Sequence, residues 1–167
     1  MKRIVLIAAT ALFLLPGVSS AALVALNATI NSDQAGTTSG GLGSAAMLYN
    51  TDTNVLTWAI LFDGLSGGLT VAHFHGPAAP GDTAGIEVDI IANSGGDLSP
   101  LIGSAMLSDV QEGDLLNNLW YINLHTAAFP AGEIRGQVTF KKVVPIPAAV
   151  WLFGSALMGI GALRRRT

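Results

Sequence analysis

The chain has 167 residues, no cysteine and a formal charge of −3 at pH 7. Without cysteine there is no thiol catalysis, no thiolate metal site and no disulfide, so an exported domain of this sequence must be held by its core alone. Seven of the eight Lys and Arg lie in the two terminal segments, which leaves the body (residues 23–140) with Arg135 against all eleven Asp and Glu, a balance of −10 with neutral histidines; such a body cannot bind nucleic acid by neutralising phosphates.

Lys2 and Arg3 form a basic start, residues 4–15 are apolar, Pro16-Gly17 breaks the run, and Ser19-Ser20-Ala21-Ala22 is small throughout. This order is that of a secretory signal peptide (1–22), cleaved after Ala22 or, as second choice, after Ala21. Residues 23–30 then alternate, with Val24, Leu26, Ala28 and Ile30 on one face, which predicts a strand. The Gly/Ser/Thr stretch 36–43 reads as a loop, and strand pattern resumes over 44–49. Residues 55–62 are apolar apart from Thr57, as a fully buried strand would be. Residues 69–75 are strand-like, and 86–90 alternate strictly with Glu87 and Asp89 outward.

Ser108 followed by Gln111 reads as a capping box, which predicts a short helix over 109–116 despite Gly113. Trp120, Ile122 and Leu124 share one strand face, and Ile134, Val138 and Phe140 share another. Glycine clusters at 64–68, 76–85 and 95–96 supply turns. Many short strands separated by turns predict an all-β body, an antiparallel β-sandwich or Greek-key barrel, over residues 23–140. Beyond it, residues 143–163 are uncharged and long enough to cross a bilayer, and Arg164, Arg165 and Arg166 follow. The expectation is one C-terminal transmembrane helix with its tail cytoplasmic and the body outside.

All three histidines lie in two short segments, His73-Phe74-His75-Gly76-Pro77 and the run from Tyr121 to Val138 that contains His125. His73 and His75, two apart in a strand, project from one face with Cβ atoms about 7 Å apart. With His125 they could hold one copper or zinc ion, and Asp63 or Asp82 could add a fourth ligand or a second-shell partner. The alternative is that the histidines merely hydrogen-bond loop backbone; no cofactor is fixed by the sequence. Glu133 and Arg135 flank the core-side Ile134 and are expected to form a structural ion pair. The turn Pro130-Ala131-Gly132 sets the entry to that strand. Nucleophile elbow, phosphate loop and calcium-loop patterns are all missing.

Two resemblances rest on these residues. The tail, Val143-Val144-Pro145-Ile146-Pro147-Ala148-Ala149 followed by the apolar span and Arg164 to Arg166, resembles the PEP-CTERM sorting signal in its VPLPA variant, with Ile146 where that variant has Leu. The resemblance implies an exported protein of a Gram-negative, exopolysaccharide-making bacterium, anchored in the inner membrane. An exosortase-type enzyme would then process it, leaving it periplasmic, on the outer surface or extracellular. The body resembles the CHRD domain through Ala72-His73-Phe74-His75-Gly76-Pro77, Tyr121-Ile122-Asn123-Leu124-His125-Thr126 and Pro130 to Gln137, with Asp63-Gly64-Leu65 also fitting. That implies an extracellular β-sandwich, immunoglobulin-like or related to the copper/zinc superoxide dismutase barrel, and transfers no activity. The first functional expectation is therefore a non-enzymatic surface protein with a binding or structural role in the envelope or exopolysaccharide matrix. The second is an extracytoplasmic copper- or zinc-binding protein. A superoxide-dismutase-like enzyme ranks third, because the acidic body opposes steering of an anion and three histidines fall short of a two-metal site.

Overall fold

The computed structural model describes residues 23–140. The expected signal peptide (1–22) and the sorting tail (141–167), with its apolar span, lie outside the described residues. Among the described residues no helix is long and apolar enough to cross a membrane.

In chain order the elements are β1 (Leu23–Asn31), α1 (Ser32–Ala35), β2 (Leu42–Asn50), β3 (Val55–Asp63), β4 (Leu69–His75), β5 (Ile86–Asp89), β6 (Leu101–Met106), α2 (Asp109–Leu116), β7 (Tyr121–Thr126), β8 (Ile134–Gln137) and β9 (Thr139–Phe140). The strands form one antiparallel sheet in the order β5-β4-β7-β8-β1-β2-β3-β6, with β9 also on β1. The sheet curls into a nearly closed barrel, as the all-β expectation requires. The turn after β5 reaches the far edge strand: Trp58 Nε1 donates to Ser94 Oγ at 3.0 Å, and Gly103 of β6 lies so close to the Asn93 carbonyl that a Cβ there would overlap it. That contact limits the exposure of both sheet edges.

Period-two alternation decides what fills the barrel. Leu26, Ala28 and Ile30 of β1 point inward, as expected, together with Ala45, Met47 and Tyr49 of β2 and Leu56, Trp58 and Ile60 of β3. The expectation that 55–62 is buried on both faces is corrected: Leu61 is 53% exposed and Thr57 is also on the wet side, so β3 has one core face only. The expected alternation of 86–90 holds for buried Val88 and Ile90 and exposed Asp89 and fails only at the start of β5. A bulge between Phe74 and His75 shifts its register, so Ile86 is 58% exposed and Val88 alone of the pair reaches the core. α2 matches its predicted bounds, and both halves of the Ser108–Gln111 capping box are present.

Phe74 stands at the centre of the barrel. Its ring meets Trp58 edge-on at 5.2 Å and Trp120 at 5.9 Å, and each such contact contributes about 0.5–1.5 kcal/mol beyond area burial. Gly76, just after β4, lies flat on the Trp120 indole where any Cβ would overlap the ring. A side chain at 76 would push away the segment that follows, residues 77–85, and that segment roofs the histidines.

Candidate metal centre

β4 and β7 run antiparallel with His73 opposite Asn123, His75 opposite Tyr121 and Val71 opposite His125. The even positions Ala72, Phe74, Ile122 and Leu124 enter the core. The register therefore gathers His73, His75, Tyr121, Asn123 and His125 on the opposite face, and Arg135 of β8 joins them as the cross-strand partner of Asn123. That face would ordinarily be wet. Here it is roofed, and all six residues of β7 are buried. Ala84 holds the roof down on one side: its carbonyl lies 3.1 Å from His75 Nδ1, and its N–H donates to the Tyr121 hydroxyl at 3.1 Å. On the other side the Pro130 carbonyl lies 2.9 Å from His125 Nδ1, and Asn123 Nδ2 donates to the Ala131 carbonyl at 3.1 Å. Gly132, at φ 120°, is needed there because a Cβ would collide with the Asn123 amide.

The three imidazoles pack ring to ring, with centroids 5.4–6.0 Å apart. One ligand nitrogen from each lies within 4.8 Å of the other two. Metal–imidazole bonds of about 2.0–2.1 Å at tetrahedral angles place two nitrogens on one ion about 3.4 Å apart, so coordination requires the rings to close up by as much as about 1.4 Å at the widest pair. The backbone carbonyls at Nδ1 of His75 and His125 take those N–H groups and leave each Nε2 with a lone pair, the tautomer a metal ligand needs. Burial pushes the His73 pKa below its usual value, and His125 and His75 push the same way, against Asp89. Burial also lowers the pKa of His75, with the Ala84 carbonyl opposing and His125 and Arg135 reinforcing. Both rings are thus held in the neutral, ligating form.

Seven buried side-chain polar atoms have no hydrogen-bond partner among the described residues, and five of them lie on this one face: His73 Nδ1, His75 Nε2, His125 Nε2, Asn123 Oδ1 and Arg135 Nη2. Each such atom costs about 1–3 kcal/mol if nothing satisfies it. The expected carboxylate ligands do not join. The metal-competent group consists of His73, His75 and His125 alone. Asp63, at the end of β3, accepts from its neighbour Gly64 N–H at 2.8 Å, and Asp82 acts instead on Arg135.

The expected Glu133–Arg135 ion pair is also corrected. Glu133 is fully buried, and its carboxylate accepts from Ser39 Oγ (2.5 Å), Ser66 N (2.6 Å), Ser66 Oγ (2.9 Å) and Thr126 Oγ (2.5 Å). Burial pushes its pKa up, but the bonds from Ser39, Thr126 and Ser66 outweigh that and hold it below the usual carboxylate value. Arg135 instead lies over the Tyr121 ring, 3.5 Å from its centroid, while His75 stacks on the same ring at 5.0 Å and 6°. Glu133 precedes β8, which begins at Ile134, so the rule that residues two apart in a strand share a face does not reach it. No sequence pattern signals Ser39, Ser66 or Thr126 as its partners, whereas the alternation of 120, 122 and 124 already implies that Tyr121 and Asn123 share the face of His125.

The family model of the CHRD domain matches residues 26–138, most of the chain. The chain belongs to the CHRD domain family. No curated protein and no solved structure matches it. The matched span of the CHRD domain coincides with the barrel, from Leu26 of β1 to Val138, and contains all three histidines and Arg135.

Proposed function

We propose that this CHRD-domain protein is exported and holds one copper or zinc ion outside the cytoplasm through His73, His75 and His125. One observation carries the proposal: the three imidazoles bring ligand nitrogens within 4.8 Å of one another and each keeps one buried nitrogen without a partner, while the Nδ1 atoms of His75 and His125 face backbone carbonyls. The neighbourhood is wholly nitrogen and oxygen, which suits copper(II) or zinc better than copper(I). The role is binding rather than catalysis, in the envelope or the exopolysaccharide matrix, with membrane anchoring through residues 143–163 and exosortase-type processing of the tail.

The test is a titration of the full chain with copper(I), copper(II) and zinc, beside a His73→Ala/His75→Ala double variant. Tight one-to-one binding that the double variant loses is the expected result. Binding of micromolar strength or weaker that the variant retains would sink the proposal. A superoxide-turnover assay on the loaded protein is expected to read background. For the tail, intact mass of surface-released protein is expected to lack residues 150–167, and their retention would contradict processing.

A further inference from the structure

Beside the histidines lies a cleft of about 520 Å³, lined among others by His75, His125, Tyr121, Asn123, Thr83 and Arg135. Arg135 is the one cation of residues 23–140, and it is only 7% exposed. A guanidinium taken out of water normally finds a carboxylate, and this protein offers eleven. None forms an ion pair with it: Glu133 is saturated by three hydroxyls and the Ser66 N–H, Asp82 acts on the guanidinium only through its field, and Nη2 of Arg135 has no partner. Arg135 lies over the Tyr121 ring on which His75 also stacks, so the guanidinium shares a wall with the histidines. A permanently charged group, buried and short of an acceptor in the wall of a cleft, can receive an anion that enters there.

We infer that the cleft is a small-anion site, in which Arg135 Nη2 and the open coordination position of the metal hold one inorganic or carboxylate anion together. The inference rests on the proposed metal site. The ion supplies the second positive charge, and three protein ligands leave room for an exogenous one. Tyr121 acts as a positioning residue, because it fixes both the guanidinium and the His75 ring without an acceptor of its own directed at the anion. The cleft is roomier than a three-atom anion needs, so small carboxylates are admitted as well as inorganic ions.

The experiment uses the copper(II)-loaded full chain, with azide as the inorganic probe and acetate as the carboxylate probe. Azide is read by its charge-transfer absorption on copper(II), and acetate by its competition with azide. The expected result is saturable azide binding that weakens by about tenfold or more in Arg135→Met, with partial recovery in Arg135→Lys. Azide affinity is compared on fully copper(II)-loaded samples of wild type and both variants, so that any change in copper affinity does not enter the comparison. Azide binding that is the same in wild type and both variants overturns the inference. Competition by acetate supports carboxylates as ligands of the site, and failure to compete supports inorganic anions alone.

A metal-free arm separates the two readings and does not depend on the variants folding. Acetate titrated into the metal-free wild type is expected to shift the Arg135 Nε–H resonance. If the wild type takes up no copper, the metal reading fails, and the anion site then stands or falls on that shift.

Discussion

Two buried polar regions lie side by side in this barrel, and they are treated in opposite ways. Glu133 carries a full negative charge out of water, yet its carboxylate accepts four hydrogen bonds from Ser39, Ser66 and Thr126. The face formed by His73, His75, Asn123, His125 and Arg135 is nearly as buried, yet it leaves five polar atoms bare. A fully satisfied polar knot ties loops together, here the 37–41 and 64–66 segments to the turn before β8, with Thr37 also donating to the Glu133 carbonyl at 2.8 Å. An unsatisfied one lowers stability unless a ligand completes it. The contrast separates a self-sufficient polar knot from a face that a ligand would complete.

The strongest way to break the comparison is to remove the satisfied charge. Glu133→Ala strands the Ser66 N–H and three hydroxyls, and is expected to cost about 3 kcal/mol or more. Urea unfolding measures the loss, and the histidine rings should keep their metal affinity in whatever fraction stays folded. The converse change is His75→Ala. It is expected to lower metal affinity by about 100-fold or more while costing stability about 1–2 kcal/mol, because the lost Ala84 bond and Tyr121 stack are partly offset by removal of the partnerless Nε2. Calorimetric titration and urea unfolding of the same sample give both numbers. If instead the histidine change costs more stability than the Glu133 change and affinity is untouched, the assignment of roles is reversed.

A pH series sharpens the comparison. The pKa values of His73 and His75 are lowered in the fold, so the unfolded chain binds protons first as pH falls. Their contribution to the stability of the metal-free protein is complete above about pH 6.5 and is lost as pH falls below it. Glu133, also lowered, contributes above its ordinary value of 4.5 and loses that contribution only as pH falls further, through its folded pKa. Urea midpoints are therefore expected to fall in two separate stages, and a His73→Gln/His75→Gln variant should lack the upper one. The smallest effect is a control remote from both regions: Ser108→Ala removes the cap of α2 and should cost about 1 kcal/mol, with metal affinity unchanged.

Much of the scaffold was legible in the chain. The alternation of 23–30 and 120–124 marked true core faces, and Ser108 with Gln111 marked the start of α2. β6 escaped notice because Gly103, Ser104 and Ala105 dilute its alternation, and its place is set by pairing with β3 rather than by its own propensity. The histidine trio was legible as a candidate because His73 and His75 are two apart in a strand and His125 ends another. The surroundings of Glu133 and Arg135 are not legible in the sequence, because Glu133 lies one residue before β8 begins and strand alternation does not govern it.

By itself, then, the sequence determined that the body is an acidic, cysteine-free, all-β domain, and it named the three histidines on which chemistry could centre. Those properties follow from local periodicity and composition. Tertiary structure alone decided that an outer sheet face is roofed and largely buried, that the Glu133 charge is satisfied by Ser and Thr groups up to 94 positions away, and that Arg135 Nη2 is left without a partner. Whether a buried polar atom has a partner depends on contacts between segments remote in the chain, and no local pattern records them.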